Sequence, residues 1–247
     1  MPVQTLNIAT ADGQLDAWLH TPEGPGPWPG VILHTDIRGV REAFQNKAAA
    51  LAAEGYAVLL PNLYYRVART PVADPQLGLS SEEGRKLFFG LKDTLTQAGL
   101  KADHQALLDW LQAQPQVRAG QVAVVGYCMT GAIALHAAAD FPQRIAAVAS
   151  FHGGHLVTDN SDSPHLRAPE LKAAKLHFGH AKDDASIPSE AIDRLDQALR
   201  AAGVTFSSTR HDARHGFAVA DSPVHDKAAE RQHWRELLEL LRSSLAG

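Results

Sequence analysis

The chain has 247 residues, a single cysteine and a formal net charge of −4 at pH 7. One cysteine excludes an internal disulfide, which favours a reducing compartment. A mildly acidic chain without a run of Lys or Arg gives no reason to expect nucleic acid or an anionic membrane as a partner. No apolar run approaches the ~20 residues that cross a bilayer, and the first residues do not resemble a signal peptide. We therefore expect a globular cytoplasmic protein.

The first half of the chain predicts a hairpin followed by alternating strands and helices. Leu6–Thr10 and Leu15–His20 flank a short polar turn, which is typical of two antiparallel strands. Hydrophobic runs, glycine stops and a capping carboxylate then predict a strand at Val31–His34, a helix at Ala43–Glu54, a strand at Ala57–Leu60 and a helix that begins at Asp103.

The second half continues the alternation. Strands are predicted at Val122–Val125, Ile145–Ser150, Lys175–Phe178 and Val204–Thr209. Helices are predicted from after Gly126 to Ala139, from Pro188 to Gly203, and at the end, with a buried stripe of Trp234, Leu237, Leu238, Leu241 and Leu245. This order indicates one α/β domain, residues 1–247, with a mainly parallel central sheet and helices on both faces. Irregular segments near 66–102 and 154–172 are long enough to line a site.

The segment Gly-Tyr-Cys-Met-Thr-Gly at 126–131 lies between an apolar strand and an alanine-rich helix. A sharp turn there would lift Cys128 to the edge of the sheet, at the positive end of the following helix, where a thiolate is favoured. The N–H of Met129 would then face the oxygen of a tetrahedral intermediate. The alternative is a buried structural cysteine.

A nucleophilic cysteine needs a base and a group that orients the base. The loop after the predicted strand Lys175–Phe178 carries Asp183 and Asp184, and His215 follows the last predicted strand with a glycine beside it. The resulting order of nucleophile, acid and histidine is typical of α/β-hydrolases. His211 and His215 do not share a helical face, so we expect no metal site, and no glycine-rich phosphate loop indicates a cofactor.

These motifs resemble those of the dienelactone hydrolase family, the carboxymethylenebutenolidase-like α/β-hydrolases, over nearly the whole chain. The Gly-Tyr-Cys segment, the Asp184 to Pro188 spacing and the position of His215 two residues before Phe217 carry the resemblance. It implies an α/β-hydrolase fold with Cys128, Asp184 and His215 as catalytic residues. It further implies that Ile37 supplies a second oxyanion N–H, that Asp36 lies near the thiol, and that Arg66 binds a substrate carboxylate.

The sequence departs from the family pattern at three positions. Thr130 stands where a glycine is usual, so local packing at the elbow should differ. Asp36 replaces a glutamate, and its shorter side chain would hold the resting thiol differently. Val219 occupies the place of a second substrate-binding arginine. Recognition of a dienelactone acid by two arginines is therefore incomplete.

The residues predict a hydrolase that opens activated esters or enol lactones through a thioester, rather than a peptidase. The expected partner is a small-molecule ester or lactone, and the expected assembly is a monomer or a small homo-oligomer. Two alternatives stay open: an acyl or thioester transferase, which would use an alcohol or thiol in place of water, and a non-catalytic ligand-binding member of the fold.

Overall fold

Strands and helices alternate along residues 1–246, the part of the chain that the computed structural model describes. The chain divides into two compact units, and the boundary along the sequence lies between Gly120 and Gln121. We call them unit 1 and unit 2. The predicted α/β class is confirmed, because each unit contains strands and helices in alternation. The single-domain organisation stays a prediction.

Unit 1 contains four strands in the order β1-β2-β4-β3. The predicted hairpin is present: β1 and β2 run antiparallel, β2 pairs antiparallel with β4, and β3 pairs parallel with β4. The helix α1 packs on β4, and α3 packs on β1. The elements are β1 (Val3–Thr10), β2 (Gly13–His20), β3 (Gly30–Leu33), α1 (Glu42–Ala53), β4 (Ala57–Pro61), α2 (Glu82–Asp93) and α3 (Gln97–Gln112).

Unit 2 contains four parallel strands in the order β5-β6-β7-β8. Every residue of β5 is buried, as expected for a strand covered on both faces. The elements are β5 (Val122–Tyr127), α4 (Thr130–Asp140), β6 (Ile145–Phe151), a 3-10 helix (Pro164–Ala173), β7 (Lys175–Ala181), α5 (Ser189–Ala202), β8 (Phe206–His211) and α6 (Lys227–Leu245). Because the strands are parallel, the loops that follow them meet at one edge of the sheet.

The predicted start of α3 was wrong. The helix begins at Gln97, and the hydroxyl of Thr96 caps it by accepting the N–H of Gly99 at 3.1 Å. Asp103 lies inside the helix, fully buried, where it accepts hydrogen bonds from Tyr65 and Arg66. The carboxylate that looked like a helix cap is therefore a buried ion-pair partner.

The two segments expected to be irregular are only partly so. The segment near 66–102 contains α2 and the first residues of α3, and the segment near 154–172 contains most of the 3-10 helix. The remaining parts of the two segments, 66–81 and 154–163, are irregular as predicted. Their role in lining a site stays a prediction.

The buried stripe of α6 differs from the predicted one by two positions. Leu237, Leu241 and Leu245 are buried as expected, but Trp234 and Leu238 are only half-buried. His233 and Leu240 are buried instead. The His233 ring turns inward because its Nε2 lies 2.6 Å from the hydroxyl oxygen of Tyr127, the last residue of β5.

Replacing the cap of α3 should measurably weaken the fold. We expect Thr96→Ala to lower the free energy of unfolding by about 1 kcal/mol, because the N–H of Gly99 loses its partner. Urea denaturation followed by circular dichroism measures the change. Thr96→Ser keeps the hydroxyl and should stay close to the unaltered protein; an equal loss in both variants would contradict the capping role.

Candidate active site

Cys128 lies at a tight turn between β5 and α4 and has a φ of +58°, which a non-glycine residue rarely adopts. Backbone hydrogen bonds hold it there. Its N–H donates to the carbonyl of Phe151 at 3.1 Å, and its own carbonyl accepts the N–H groups of Gly131 and Gly154, each at 3.2 Å. The conformation persists because several neighbouring segments fix it.

Two glycines leave the space that this turn needs. A Cβ on Gly126 would lie 2.2 Å from the carbonyl oxygen of Thr130, and one on Gly131 would lie 2.2 Å from Oγ of Ser150. Thr130 itself fits, since its hydroxyl accepts the N–H of Tyr127 at 2.8 Å and donates to the carbonyl of the same residue at 2.9 Å. Thus the unusual threonine adds two hydrogen bonds inside the elbow.

The structure brings Cys128, His215 and Asp184 into one hydrogen-bonded row. Nε2 of His215 lies 3.1 Å from Sγ of Cys128, and its Nδ1 lies 2.6 Å from Oδ2 of Asp184. The three residues follow β5, β8 and β7, so the common edge of the parallel strands places them together. The histidine side chain is 33% exposed and that of the aspartate 3%. A ligand can therefore reach the imidazole and the half-buried sulfur, while water is kept from the carboxylate.

The electrostatics of the row favour a charged imidazole. Burial by itself lowers the pKa of His215, but the hydrogen bonds to Asp184 and Cys128 outweigh it and raise the pKa to about 10. Burial raises the pKa of Asp184, yet the hydrogen bonds from His215 and Ser186 bring it below its usual value. The pair thus rests as carboxylate and imidazolium at neutral pH.

Ser186 and His152 also contact the row, and sequence reasoning did not select them as site residues. The Ser186 hydroxyl donates to Asp184 at 2.6 Å, and the His152 ring meets the ring of His215 edge-on at 5.0 Å. His152 is fully buried with a φ of +39°. Its position directly after β6 was the available signal, whereas nothing in the sequence distinguishes Ser186 from other loop serines.

Met129 is the N-cap residue of α4, directly after Cys128. The positive end of a helix dipole therefore lies beside the sulfur. This position is the one that an oxyanion-stabilising N–H requires. The role of Met129 in stabilising an oxyanion stays a prediction.

In unit 1, the loop after β3 holds Asp36 in an ion pair. Both carboxylate oxygens accept from the guanidinium of Arg41 at 2.8 Å, and Oδ1 also accepts the backbone N–H of Arg38 at 2.9 Å. Ile37 is buried, and its carbonyl accepts the hydroxyl of Tyr64 at 2.9 Å. The loop is therefore fixed within unit 1, and the predicted roles of Asp36 and Ile37 stay predictions.

The guanidinium of Arg66 is held by two carboxylates of its own unit. It donates to Asp103 through two nitrogens, both at 2.8 Å, and to Asp12 through two nitrogens at 2.9 and 2.7 Å. The hydrogen bond to Asp103 raises the pKa of Arg66 far above its ordinary value. Binding of a substrate carboxylate by Arg66 stays a prediction, and it would compete with these pairs. Val219, at the place of the second expected arginine, is 1% exposed.

Within residues 1–246, no group of three or more His, Cys, Asp or Glu side chains is arranged to hold a metal ion. In the same part of the chain, no helix combines the length and apolar character needed to span a membrane.

Residues 15–245 match the model of the dienelactone hydrolase family. The chain belongs to this family. A Pseudomonas putida relative described as a carboxymethylenebutenolidase is 26% identical over 90% of this chain and 89% of its own length. An Escherichia coli K12 relative, provisionally described in the same way, is 31% identical over 88% of this chain and 78% of its own length.

Solved structures agree with the family assignment. A Klebsiella pneumoniae protein, provisionally described as a dienelactone hydrolase, superposes with a TM-score of 0.85 at 26% identity, over 97% of each chain. The predicted α/β-hydrolase fold and the resemblance to the dienelactone hydrolase family are thereby confirmed.

The space that glycine leaves at the elbow can be tested directly. We expect Gly126→Ala to lower the thermal midpoint by several degrees and to slow the alkylation of Cys128 by iodoacetamide, because the new Cβ would overlap backbone. Gly90→Ala is the matched control, since a Cβ there meets nothing within 4 Å in α2. Normal labelling and stability in Gly126→Ala would contradict the tight turn.

Proposed function

We propose that this protein is a hydrolase that cleaves activated esters or enol lactones by a thioester mechanism, with Cys128, His215 and Asp184 as its catalytic triad. The observation that carries the proposal is the pair of short contacts on either side of the His215 ring, to sulfur and to carboxylate. Membership of a hydrolase family and the names of the relatives support the reaction class.

In the first half of the reaction, the thiolate of Cys128 attacks the ester carbonyl. The negative charge moves to the carbonyl oxygen, where the N–H of Met129, and by resemblance that of Ile37, would receive it. As the intermediate collapses, the carbon–oxygen bond breaks and the leaving alcohol takes the Nε2 proton of His215. The products are an acyl-thioester on Cys128, a free alcohol and a neutral imidazole.

Loss of the thiolate charge changes the role of His215. Part of its raised pKa comes from the hydrogen bond and the charge of Cys128, and both are removed once sulfur carries an acyl group. The pKa of His215 therefore falls, and the neutral imidazole can take a proton from water. The resulting hydroxide adds to the thioester, the carbon–sulfur bond breaks, and the thiolate and imidazolium are restored. One histidine thus acts as acid in the first half and as base in the second.

The substrate preference follows from two features: His215 is a weak general acid, and Arg66 is already paired with carboxylates. An imidazolium with a pKa near 10 gives up its proton reluctantly, so esters with good leaving groups, such as enol lactones and aryl esters, suit it best. Arg66 is bound by two carboxylates and Val219 is apolar and buried. Tight recognition of a carboxylate-bearing lactone by two arginines is therefore not proposed.

Removing the nucleophile should remove the activity. We expect Cys128→Ala to reduce hydrolysis of p-nitrophenyl acetate by about 10³-fold or more, because no other group can form the acyl intermediate. Stopped-flow absorbance should also show no burst in the variant. Thr130→Ser, which keeps the elbow hydroxyl, serves as a control for local disturbance. Undiminished turnover in Cys128→Ala would overturn the proposed mechanism.

The ion pair can be measured without turnover. We expect His215→Ala to slow the alkylation of Cys128 by iodoacetamide at pH 6.5 about tenfold or more, because an unassisted thiol is mostly protonated there. The difference should shrink as pH rises past about 8.5, because an unassisted thiol ionises there by itself. Mass spectrometry of the labelled peptide at each pH gives the rates. Equal rates at pH 6.5 would show that His215 does not activate the sulfur.

A further inference from the structure

We propose that Ser186 is a positioning residue of this site, which fixes the plane of the Asp184 carboxylate and thereby the direction of the His215 ring. The inference rests on the proposed function and adds a residue to it. Ser186 acts on the sulfur only through the other two members of the row: its hydroxyl donates to Asp184 at 2.6 Å and lies 3.4 Å from Nδ1 of His215.

Both hydrogen bonds that Ser186 donates to Asp184 fall on one carboxylate oxygen, and the serine Oγ also lies 3.4 Å from Nδ1 of His215. The serine N–H donates to Oδ1 at 2.9 Å, and the hydroxyl donates to the same oxygen at 2.6 Å. The other oxygen, Oδ2, is left to meet His215 at 2.6 Å. A carboxylate held at one oxygen by two donors cannot rotate freely about its last bond. Its second oxygen therefore points along one direction, toward the imidazole.

Ser186 is itself held in place from the segment that follows β6. Its carbonyl accepts the N–H of His155 at 3.0 Å, and a Cβ on Gly154 would come within 2.9 Å of its Oγ. The N–H of Gly154 donates to the carbonyl of Cys128 at 3.2 Å. Two adjacent residues therefore link the nucleophile to the serine that orients the acid.

The hydroxyl also has an electrostatic effect that pH can reveal. Hydrogen bonds from His215 and Ser186 offset burial and lower the pKa of Asp184, so the carboxylate stays ionised at moderately acidic pH. When the pKa of a carboxyl group is lowered, the carboxylate is fully present above the ordinary pKa and is lost as the pH falls through the lowered one. The orientation of His215 by Asp184 should follow the same pH dependence. Without the Ser186 hydroxyl, the pKa of Asp184 is higher, so the carboxylate should be protonated at a higher pH.

The test compares Ser186→Ala with Ser189→Ala. We expect Ser186→Ala to lower kcat roughly tenfold, the effect of one hydrogen bond to a charged group, with KM changed less than twofold. The acid limb of its kcat/KM profile should move upward in pH. Ser189 is only three residues away, at the first position of α5, but it is exposed and its Oγ is 3.3 Å from Arg210. Its alanine variant should match the unaltered protein in all three quantities.

Two further variants separate positioning from a general disturbance of the loop. Gly154→Ala keeps the hydroxyl but crowds it, and should shift the acid limb in the same direction. Ser186→Thr keeps a γ-hydroxyl and should recover most of the lost kcat. An unchanged pH profile in Ser186→Ala, or an identical change in Ser189→Ala, would overturn the role of Ser186.

Alkylation of Cys128 distinguishes an error about the role of Ser186 from an error about the proposed function. Labelling requires no substrate, so slower labelling in Ser186→Ala at pH 6.5 supports the positioning role by itself. Unchanged labelling in that variant, together with an inactive Cys128→Ala, would remove only Ser186 from the mechanism. Active Cys128→Ala would remove the thioester mechanism, whatever Ser186 does to labelling.

Discussion

The backbone conformation of Cys128 is the constraint on which the rest of the site depends. A residue with a side chain pays an energetic penalty at a φ of +58°, and three backbone hydrogen bonds keep it there. Two of these bonds come from Phe151 and Gly154, at and just after the end of β6. The sulfur therefore points out of the sheet edge only while β5 and β6 remain paired and the glycines at 126 and 131 leave room. The position of Cys128 therefore depends on the pairing of the strands as well as on the loop.

Charge couples the residues of this site. Asp184 is ionised because donors surround it, His215 holds its proton because it lies between a carboxylate and a sulfur, and both effects work against burial. A change of charge at any member is therefore felt by the others. This coupling explains how one imidazole can serve both halves of the proposed reaction without a second base.

Local signatures in the sequence predicted the alternating elements, Cys128 and His215, whereas the resemblance to the family selected Asp184 over Asp183. Apolar runs mark the buried strands, and the glycines around Cys128 mark the turn. What the sequence could not reveal depends on distant partners. In the sequence Asp103 resembles a helix cap, and only the structure shows its ion pair with Arg66. Likewise, only the structure shows that His233 is in hydrogen-bond contact with the hydroxyl of Tyr127. Ser186 carries no signal, since its role arises from a contact with Asp184 that only the folded loop creates.

The contact between Tyr127 and His233 bears on the order in which the molecule is built. Tyr127 precedes Cys128, whereas His233 belongs to α6, which follows all other described elements in the chain. During synthesis the ribosome makes Tyr127 before His233, because the two residues are 106 positions apart in the chain. A nascent chain without α6 therefore lacks the His233 ring that contacts the hydroxyl of Tyr127, next to Cys128. The elbow can therefore gain this contact only after residue 233 has been synthesised.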